Sequence, residues 1–585
     1  MSEVDQTRYA PGNVSADGGH EFSWQLTAAH ITDPVILELP PDHVLPVIFV
    51  PGIMGSNLRS KARGTPVWRL DSTGGIPTTL LRDMLTKSTG DRQKVLDPAG
   101  VEVDPDGAVP TQPAGSIYET KSYVSRGWGE VGETSYSSFL VWLEQVLNGQ
   151  GFNPARWQQF SYVAMSATPV PGQSRDVQPL TSGIRMSMPQ AEGWSTLAEK
   201  GTADLFSDDL IARARFRMPV YAFGYNWLDS NKAAADLLRK RIHFVIDENN
   251  RGKSRCSQVV LVTHSMGGLV ARACQKLEGM QETIAGIVHG VMPAVGAAVA
   301  YRRCKIGMAD EIQPSWLHPK DKLAAQLGAR TIGYTGPDVT AVFAQAPGAL
   351  QLLPTDQYRA GWLTIDGPSG KTVGNAEPGS GNPYQDIYLR QDRWWGLARK
   401  EWLSPEGGNN LTWSDFEKNV GKARDFHDGI RDSYHANTYV FYGKDRKVPS
   451  FEGVHWKIKR GMVAPDAKAP PTPEDVRNMG FGGVRDDGRN PLHVGGGLTV
   501  TPGLNGATVM DTSYWDLVCA AQDGGGDGTV PVSSGAFPLR SGAASIQQQF
   551  GLPGIKHEPA YQNHTAQLVA LYALQKIASK TKVDT

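Results

Sequence analysis

Ser265 stands in the pentapeptide THSMG, between an apolar run and a run with helical spacing. A serine hydroxyl is a weak nucleophile at neutral pH, so it needs a base for its proton and backbone N–H groups for the oxyanion. A sharp strand-to-helix turn presents such a serine, and the helix N-terminus adds an amide and a favourable dipole. An ordinary strand-to-helix turn is the alternative, but the flanking strand and helix favour a nucleophile.

The pentapeptide departs from the usual G-x-S-x-G pattern at one position. Thr263 replaces the first glycine, whereas Gly267 and Gly268 follow the serine as the pattern requires. Threonine is small but carries a Cβ atom, so we expect some crowding to be tolerated where the strand enters the turn.

Two later segments offer an acid and a base for this serine. Asp527 lies in the glycine-rich segment GDGTVP, with Asp523 as the competing acid, although Asp-Gly dipeptides are also common in plain turns. His557 lies in GIKHEPAY ahead of the last helix, and His564 is the competing base. The chain order Ser, Asp, His is the order expected of an α/β-hydrolase. We predict a triad in which His557 takes the proton of Ser265 and Asp527 orients His557.

An oxyanion hole is predicted from residues 47–58, VIFVPGIMGSNL. A buried strand followed by P-G-x-x-G leaves backbone amides beside a nucleophile, and on its own the segment could equally be a plain turn. With Ser265 further along the chain, we predict that the N–H groups of Met54 and Met266 hold the oxyanion.

These residues are positioned by strands that alternate with helices, which indicates a mainly parallel sheet covered by helices on both faces. The fold class is therefore α/β, with large cap or lid insertions. The segments divide as follows: 1–43 N-terminal arm; 44–58 and 201–300 hydrolase core; 59–200 insertion; 301–436 cap or lid region; 437–460 and 506–585 hydrolase core; 461–505 Gly/Pro-rich excursion.

Composition excludes several classes of function. The chain has 585 residues and a net charge of −1, which gives no electrostatic case for nucleic acid. The four cysteines match no zinc or redox spacing, and we expect mostly buried thiols. The apolar run 285–300 is short and is interrupted by His289 and Pro293, so it fails as a membrane span. The N-terminus lacks a signal-peptide pattern, and we expect a soluble protein made in the cytoplasm.

Six segments carry a resemblance to a known family: 51–55 (PGIMG), 225–227 (YNW), 264–268 (HSMGG), 347–354 (PGALQLLP), 526–530 (GDGTV) and 554–557 (GIKH). The chain resembles the lecithin:cholesterol acyltransferase-like and PGAP1-like branches of the α/β-hydrolases. Asn226 stands where the family usually has aspartate. The family's Gly-Ile-x-His segment favours His557 over His564. The resemblance implies an ester hydrolase or acyltransferase acting on lipids, often phospholipids.

Large bacterial relatives without a signal peptide resemble the antibacterial lipase effectors of type VI secretion. That resemblance implies an immunity protein and a component of the secretion apparatus as partners, and export to the periplasm or membranes of a target cell. A carboxylesterase or acyltransferase on small or neutral lipid esters is an alternative function. A catalytically inactive binding protein is a second alternative, which a missing triad residue would have indicated.

A tryptophan-rich stretch and two acidic loops allow further hypotheses. Trp394, Trp395 and Trp402 could dock a lid on lipid headgroups, but a helix that packs its tryptophans inward is favoured. The chemistry needs no metal and no cofactor. Calcium could be held at 486–488 or 523–527, but neither segment fits an EF-hand, so solvated loops are preferred.

Overall fold

The computed structural model describes residues 8–11, 13–14, 20–22, 35–73, 76–77, 87–111, 120–148, 185–186, 197–309, 333–367, 372–373, 381–461, 469–495, 498–503, 506–511 and 514–583. The strands of its two large sheets are numbered in chain order: β1 Val47–Val50, β2 Val220–Ala222, β3 Val259–His264, β4 Ile284–Gly290, β5 Leu363–Asp366, β6 Thr372–Val373, β7 Thr438–Gly443, β8 Val454–Arg460, β9 Val484–Arg485, β10 Leu492–Gly495, β11 Tyr514–Cys519 and β12 Ile546–Leu552.

The main sheet has the strand order β2-β1-β3-β4-β7-β12, and every neighbouring pair in it is parallel. Its strands are buried on both faces, and most of their side chains are apolar, as is typical of a parallel sheet. Along β1, for example, Val47 and Phe49 pack into one apolar cluster, whereas Ile48 and Val50 pack into the cluster on the other face. The predicted parallel sheet is confirmed.

The helices discussed below are numbered in chain order: α1 Glu133–Asn148, α2 Asn231–Glu248, α3 Gly267–Cys274, α4 Ala298–Ile306, α5 Trp413–Ile430 and α6 His564–Lys580. The helices α1 and α6 cover one face, and α2 and α3 cover the other. Polar side chains cap the N-termini of α2, α5 and α6, as expected for residues at that position. Ser230 accepts from the Lys232 amide at the start of α2, and Asn563 caps α6, as its position ahead of the helix indicates.

Shorter elements complete the described part of the chain. The shorter helices are Thr89–Val95, Thr120–Ser125, Trp128–Glu130, Ser207–Arg213, Met280–Thr283, Gly336–Phe343, Pro347–Leu350, Tyr384–Tyr388, Lys400–Trp402, Pro473–Asn478, Phe481–Gly483, Val532–Gly535, Phe537–Ser541 and Ala560–Gln562. The shorter strands are Arg8–Pro11, Asn13–Val14, His20–Glu21, Val35–Glu38, His43–Val44, Leu58–Ser60, Pro66–Trp68, Ser72–Thr73, Ile76–Pro77, Val101–Val103, Arg185–Met186, Leu205–Phe206, Asp445–Ser450, Leu498–Gly503, Gly506–Asp511 and Gly524–Gly526.

A second sheet of order β6-β5-β8-β11-β10-β9 lies beyond the first. It takes strand β8 from 437–460, which the sequence places in the hydrolase core, and strands β9 and β10 from 461–505, which the sequence places in a surface excursion. Both segments therefore contribute strands to one sheet. Burial alternates along β8: Val454, Trp456 and Ile458 are buried, whereas Lys457 and Lys459 are exposed.

The tryptophan-rich stretch packs inward. Trp394 is fully buried and Trp395 is 1% exposed, and their indole N–H groups donate to the carbonyls of Val476 and Arg477. Trp402 is also buried. The hypothesis that these side chains dock on a membrane is therefore wrong, because they are occupied by the second sheet and its helix.

All four cysteines are buried and none is in a disulfide, as expected. Within the described residues, no helix combines the length and the apolar character that crossing a membrane requires.

Candidate active site

Ser265 sits at the tip of the turn between β3 and α3, in the conformation that a sharp turn imposes. Its φ is 52°, in the left-handed region that side chains other than glycine rarely adopt. Its N–H donates to the carbonyl of Gly290 at 2.9 Å, which ties the turn to the end of β4. A Cβ at Gly267 would lie 2.4 Å from the carbonyl oxygen of Val50, so α3 can cross β1 here only with glycine at this position.

The structure brings the three predicted triad residues together. The Nε2 atom of His557 lies 2.8 Å from Oγ of Ser265, and its Nδ1 atom lies 2.9 Å from Oδ2 of Asp527. Because a carboxylate only accepts, Nδ1 carries the proton and donates to Asp527, which leaves Nε2 free to accept from the serine hydroxyl. This is the tautomer that a general base for Ser265 requires.

The acid is held by its own loop. Asp527 is 2% exposed, and its Oδ1 atom accepts from the amides of Thr529 at 2.9 Å and Val530 at 2.7 Å. The amide of His557 donates to the Asp527 carbonyl at 2.8 Å, so the acid and base loops are also joined through their backbones. Charge-assisted hydrogen bonds of this kind offset the cost of burying a carboxylate.

The competing acid and base lie elsewhere. Asp523 accepts from Nε2 of His455 at 2.9 Å and from the amide of Glu452, on the side of the second sheet. His564 is exposed at the first position of α6. Geometry therefore favours Asp527 and His557, as the sequence predicts.

The turn that follows β1, where the sequence predicts the oxyanion loop, lies against the nucleophile turn: a Cβ at Gly52 would lie 3.0 Å from Cβ of Ser265. Met54 has a φ of 64°, and its carbonyl accepts from the indole N–H of Trp68 at 2.8 Å. The hydroxyl of Tyr225 donates to the Pro51 carbonyl at 2.9 Å. Among the hydrogen bonds of the described residues, neither the N–H of Met54 nor that of Met266 is a donor.

Two further side chains beside the nucleophile were not singled out from the sequence. Nε2 of His264 lies 2.8 Å from the carbonyl of His557, and its Nδ1 lies 3.0 Å from the hydroxyl of Tyr136. That hydroxyl accepts from the amide of Gly52 at 3.2 Å. Tyr136 comes from α1, in the long insertion, and no local pattern in the sequence marks it as part of the site.

The two acidic loops considered for calcium have other partners. Asp486 forms a buried ion pair with Lys305 at 3.1 Å, and Asp523 pairs with His455. In the part of the chain that the structure describes, no group of three or more His, Cys, Asp or Glu residues is arranged to hold a metal ion.

Residues 228–335 match the family described as PGAP1-like alpha/beta domain. This segment contains the serine turn and α3, and its strands β3 and β4 are neighbours in the parallel sheet described above. The fold is that of an α/β-hydrolase. The resemblance to PGAP1-like hydrolases stated from the sequence is confirmed over this segment.

A chain in "The crystal structure of Tle4-Tli4 complex" is similar to this α/β-hydrolase over most of its length. The two share 25% sequence identity and superpose with a TM-score of 0.65, over 92% of this chain and 99% of that one. The likeness therefore extends well beyond the segment that matches the PGAP1-like family. No curated protein sequence matches the chain.

Proposed function

We propose that this α/β-hydrolase is a lipolytic serine enzyme that cleaves acyl ester bonds of membrane lipids. The observation that carries the proposal is the array Ser265–His557–Asp527, in which Nε2 of His557 lies 2.8 Å from Oγ of Ser265 and Nδ1 lies 2.9 Å from Oδ2 of Asp527. The N–H groups of Met54 and Met266, the proposed oxyanion donors, make no hydrogen bond to another described residue. Nucleophile, base, orienting acid and oxyanion donors are the groups that acyl transfer through a serine requires.

In the proposed reaction, Oγ of Ser265 attacks the acyl carbonyl carbon as Nε2 of His557 takes the hydroxyl proton. The carbonyl oxygen becomes an oxyanion, held by the amides of Met54 and Met266. The tetrahedral intermediate collapses, and His557 returns the proton to the departing alcohol. Water then attacks the acyl-enzyme with His557 again as base, which releases the fatty acid and restores Ser265.

A lipid substrate is supported by the character of the site and by the resemblance. The backbone of the candidate oxyanion loop carries the apolar side chains Ile53 and Met54, and both pack against the main apolar cluster. PGAP1-like and lecithin:cholesterol acyltransferase-like hydrolases act on lipids, and an acyl chain needs apolar walls.

We also propose that the enzyme is an antibacterial effector of type VI secretion that binds an immunity protein in the producing cell. The support is the structural likeness to a chain solved in the Tle4–Tli4 complex, in which two proteins are bound to each other. The likeness covers 99% of that chain, so nearly every part of the neighbour's fold has a counterpart here.

The experiment that tests the enzymatic proposal is acyl release from mixed phospholipid liposomes by the wild type and by Ser265→Ala. We expect release by the wild type alone, with Ser265→Ala unchanged in melting temperature because, among the described residues, Oγ is hydrogen-bonded only to His557. Mass spectrometry of the products identifies the bond that is cut. Equal release by both proteins would contradict the assignment of the nucleophile.

The same experiment separates the alternatives. If the wild type cleaves a soluble p-nitrophenyl ester but releases nothing from liposomes, a small-ester hydrolase is favoured. If neither substrate is cleaved, and Ser265 is not labelled by a fluorophosphonate, an inactive binding protein is favoured.

A further inference from the structure

We propose that Tyr136 and His264 are positioning residues that connect the oxyanion loop to the catalytic histidine by a chain of hydrogen bonds. The inference rests on the proposed function, because it assigns roles to residues that act through Gly52 and His557. Neither side chain reaches a substrate in this arrangement; both hold groups that do.

The direction of every hydrogen bond in the chain is determined. The carbonyl of His557 can only accept, so Nε2 of His264 carries the ring proton and donates at 2.8 Å. Burial lowers the pKa of His264 to about 3, so the ring is neutral and Nδ1 has a lone pair. The hydroxyl of Tyr136 therefore donates to Nδ1 at 3.0 Å.

The other end of the chain is determined in the same way. The amide of Gly52 can only donate, and it donates to the oxygen of Tyr136 at 3.2 Å. The donors thus run from Gly52 through Tyr136 and His264 to the carbonyl of His557. Tyr136 and His264 each accept one hydrogen bond from the preceding group and donate one to the next. One main-chain atom at each end belongs to a predicted catalytic loop.

Close packing shows why this connection controls geometry. A Cβ at Gly52 would lie 2.8 Å from Nδ1 of His264 and 3.0 Å from Cβ of Ser265, so the loop rests directly against the nucleophile turn. Gly52 lies two residues before Met54, whose amide we propose as an oxyanion donor. A shift of Gly52 therefore moves that amide relative to Ser265.

The chain is also shielded from water. Tyr136 is 3% exposed and His264 is 4% exposed, and burial raises the pKa of the Tyr136 phenol. Water does not reach these groups to replace a lost partner. Removing the Tyr136 hydroxyl therefore leaves both Nδ1 of His264 and the amide of Gly52 without a hydrogen bond. The expected consequence is displacement of the loop.

The test compares two phenylalanine variants by the rate of Ser265 labelling with a fluorophosphonate and by kcat and KM on an ester. Tyr136→Phe keeps the ring and removes the hydroxyl in the chain. Tyr561→Phe is the matched control: its side chain is also buried, its hydroxyl donates to the carbonyl of Thr263 at 2.8 Å, and its ring meets the His264 ring edge-on at 6.1 Å. The phenylalanine keeps that ring contact, and the hydroxyl it removes takes part in no bond of the chain.

We expect Tyr136→Phe to lower kcat and the labelling rate by about ten- to a hundred-fold, because small displacements at a reacting centre cost this much. KM should change by less than about twofold, since substrate binding is left in place. Tyr561→Phe should keep both rates within about twofold of the wild type. Equal losses in the two variants, after correction for the folded fraction, would overturn the positioning role.

A double-mutant cycle gives a second test that does not depend on Tyr561. His264→Gln keeps an N–H near the position of Nε2 but loses the acceptor near Nδ1, so it breaks the link to Tyr136. In the wild type, Tyr136→Phe should lower the labelling rate strongly. In His264→Gln, where the link is already broken, adding Tyr136→Phe should lower the rate by a smaller factor, because the effects of linked residues are not additive. Losses that multiply would refute the chain.

Failure of the two proposals can be told apart. Fluorophosphonate labelling needs the nucleophile, the base and the oxyanion donors but not the natural substrate. If the wild type is labelled but cleaves no lipid, the lipid substrate is refuted. The labelling rates of Tyr136→Phe and Tyr561→Phe still decide the positioning role in that case. No labelling of Ser265 in the wild type refutes the serine mechanism and the positioning role together.

Discussion

The substitution Asp527→Asn tests the assignment of the acid with the smallest change in shape. The Oδ1 atom of the new side chain can keep both bonds from the amides of Thr529 and Val530. Its NH2 group then occupies the place of Oδ2, 2.9 Å from Nδ1 of His557. An amide N–H only donates, so Nδ1 must accept and the ring proton moves to Nε2.

The magnitude follows from this exchange of tautomers. With its proton on Nε2, His557 donates to Ser265 and cannot take the serine proton, so the nucleophile is no longer activated. We expect kcat to fall by about ten-thousand-fold, as for loss of the orienting acid in other serine triads. At 1.36 kcal/mol for each factor of ten, this is about 5 kcal/mol of transition-state stabilisation.

The assay is ester cleavage under saturating substrate, with Asp523→Asn as the matched control. Asp523 lies four residues earlier, but it accepts from His455 and from backbone amides near the second sheet. We expect this variant to keep kcat within about twofold. If Asp527→Asn kept more than about one per cent of kcat, or if Asp523→Asn were the inactive variant, the assignment of the triad acid would be refuted.

Two further predictions concern stability. Lys305→Met leaves its fully buried carboxylate partner without a counter-ion, and we expect the free energy of unfolding in urea to fall by about 3–5 kcal/mol, whereas an unchanged midpoint would contradict the buried pair. Burial lowers the pKa of His264 and His289 to about 3, below the unfolded value of about 6.5. The unfolded chain alone therefore gains protons as the pH falls through this window, and stability should fall by about 1.4 kcal/mol per unit for each ring. Urea unfolding at pH 7 and pH 5 measures this slope, which His289→Asn should reduce; a slope that this variant leaves unchanged would contradict the contribution of His289.

The three residues of the candidate triad could be found in the sequence because each lies in a short loop beside a recognisable element. Ser265 follows a six-residue buried strand, and His557 precedes the last helix, so pattern and chain order were enough to place them. The glycines around Asp527 mark a loop rather than a strand. Local sequence carries this information because the chain must turn sharply at each of these positions.

The contributions of the insertions could not be predicted in the same way. Tyr136 is 128 residues from His264, and its helix shows only an amphipathic pattern that any packed helix would share. Strands β9 and β10 lie in a Gly/Pro-rich segment, and they become strands because β11 offers an antiparallel partner to β10, which in turn pairs with β9. Such partners are set by tertiary contacts, which one sequence does not display.

The threonine in the nucleophile motif shows that its two glycine positions are not equivalent in this chain. Behind the serine, a Cβ at Gly267 would collide with the main chain of β1, and backbone cannot move aside. Ahead of the serine, Thr263 is fully buried but its Oγ1 lies 2.9 Å from Nδ1 of His289, its partner on β4. The hydroxyl thus has a hydrogen-bond partner, so its burial does not leave this polar group unpaired. A search for glycine on both sides of the serine would miss this chain. In its structure, close packing requires glycine only after the serine, at Gly267, whereas Thr263 is accommodated before it.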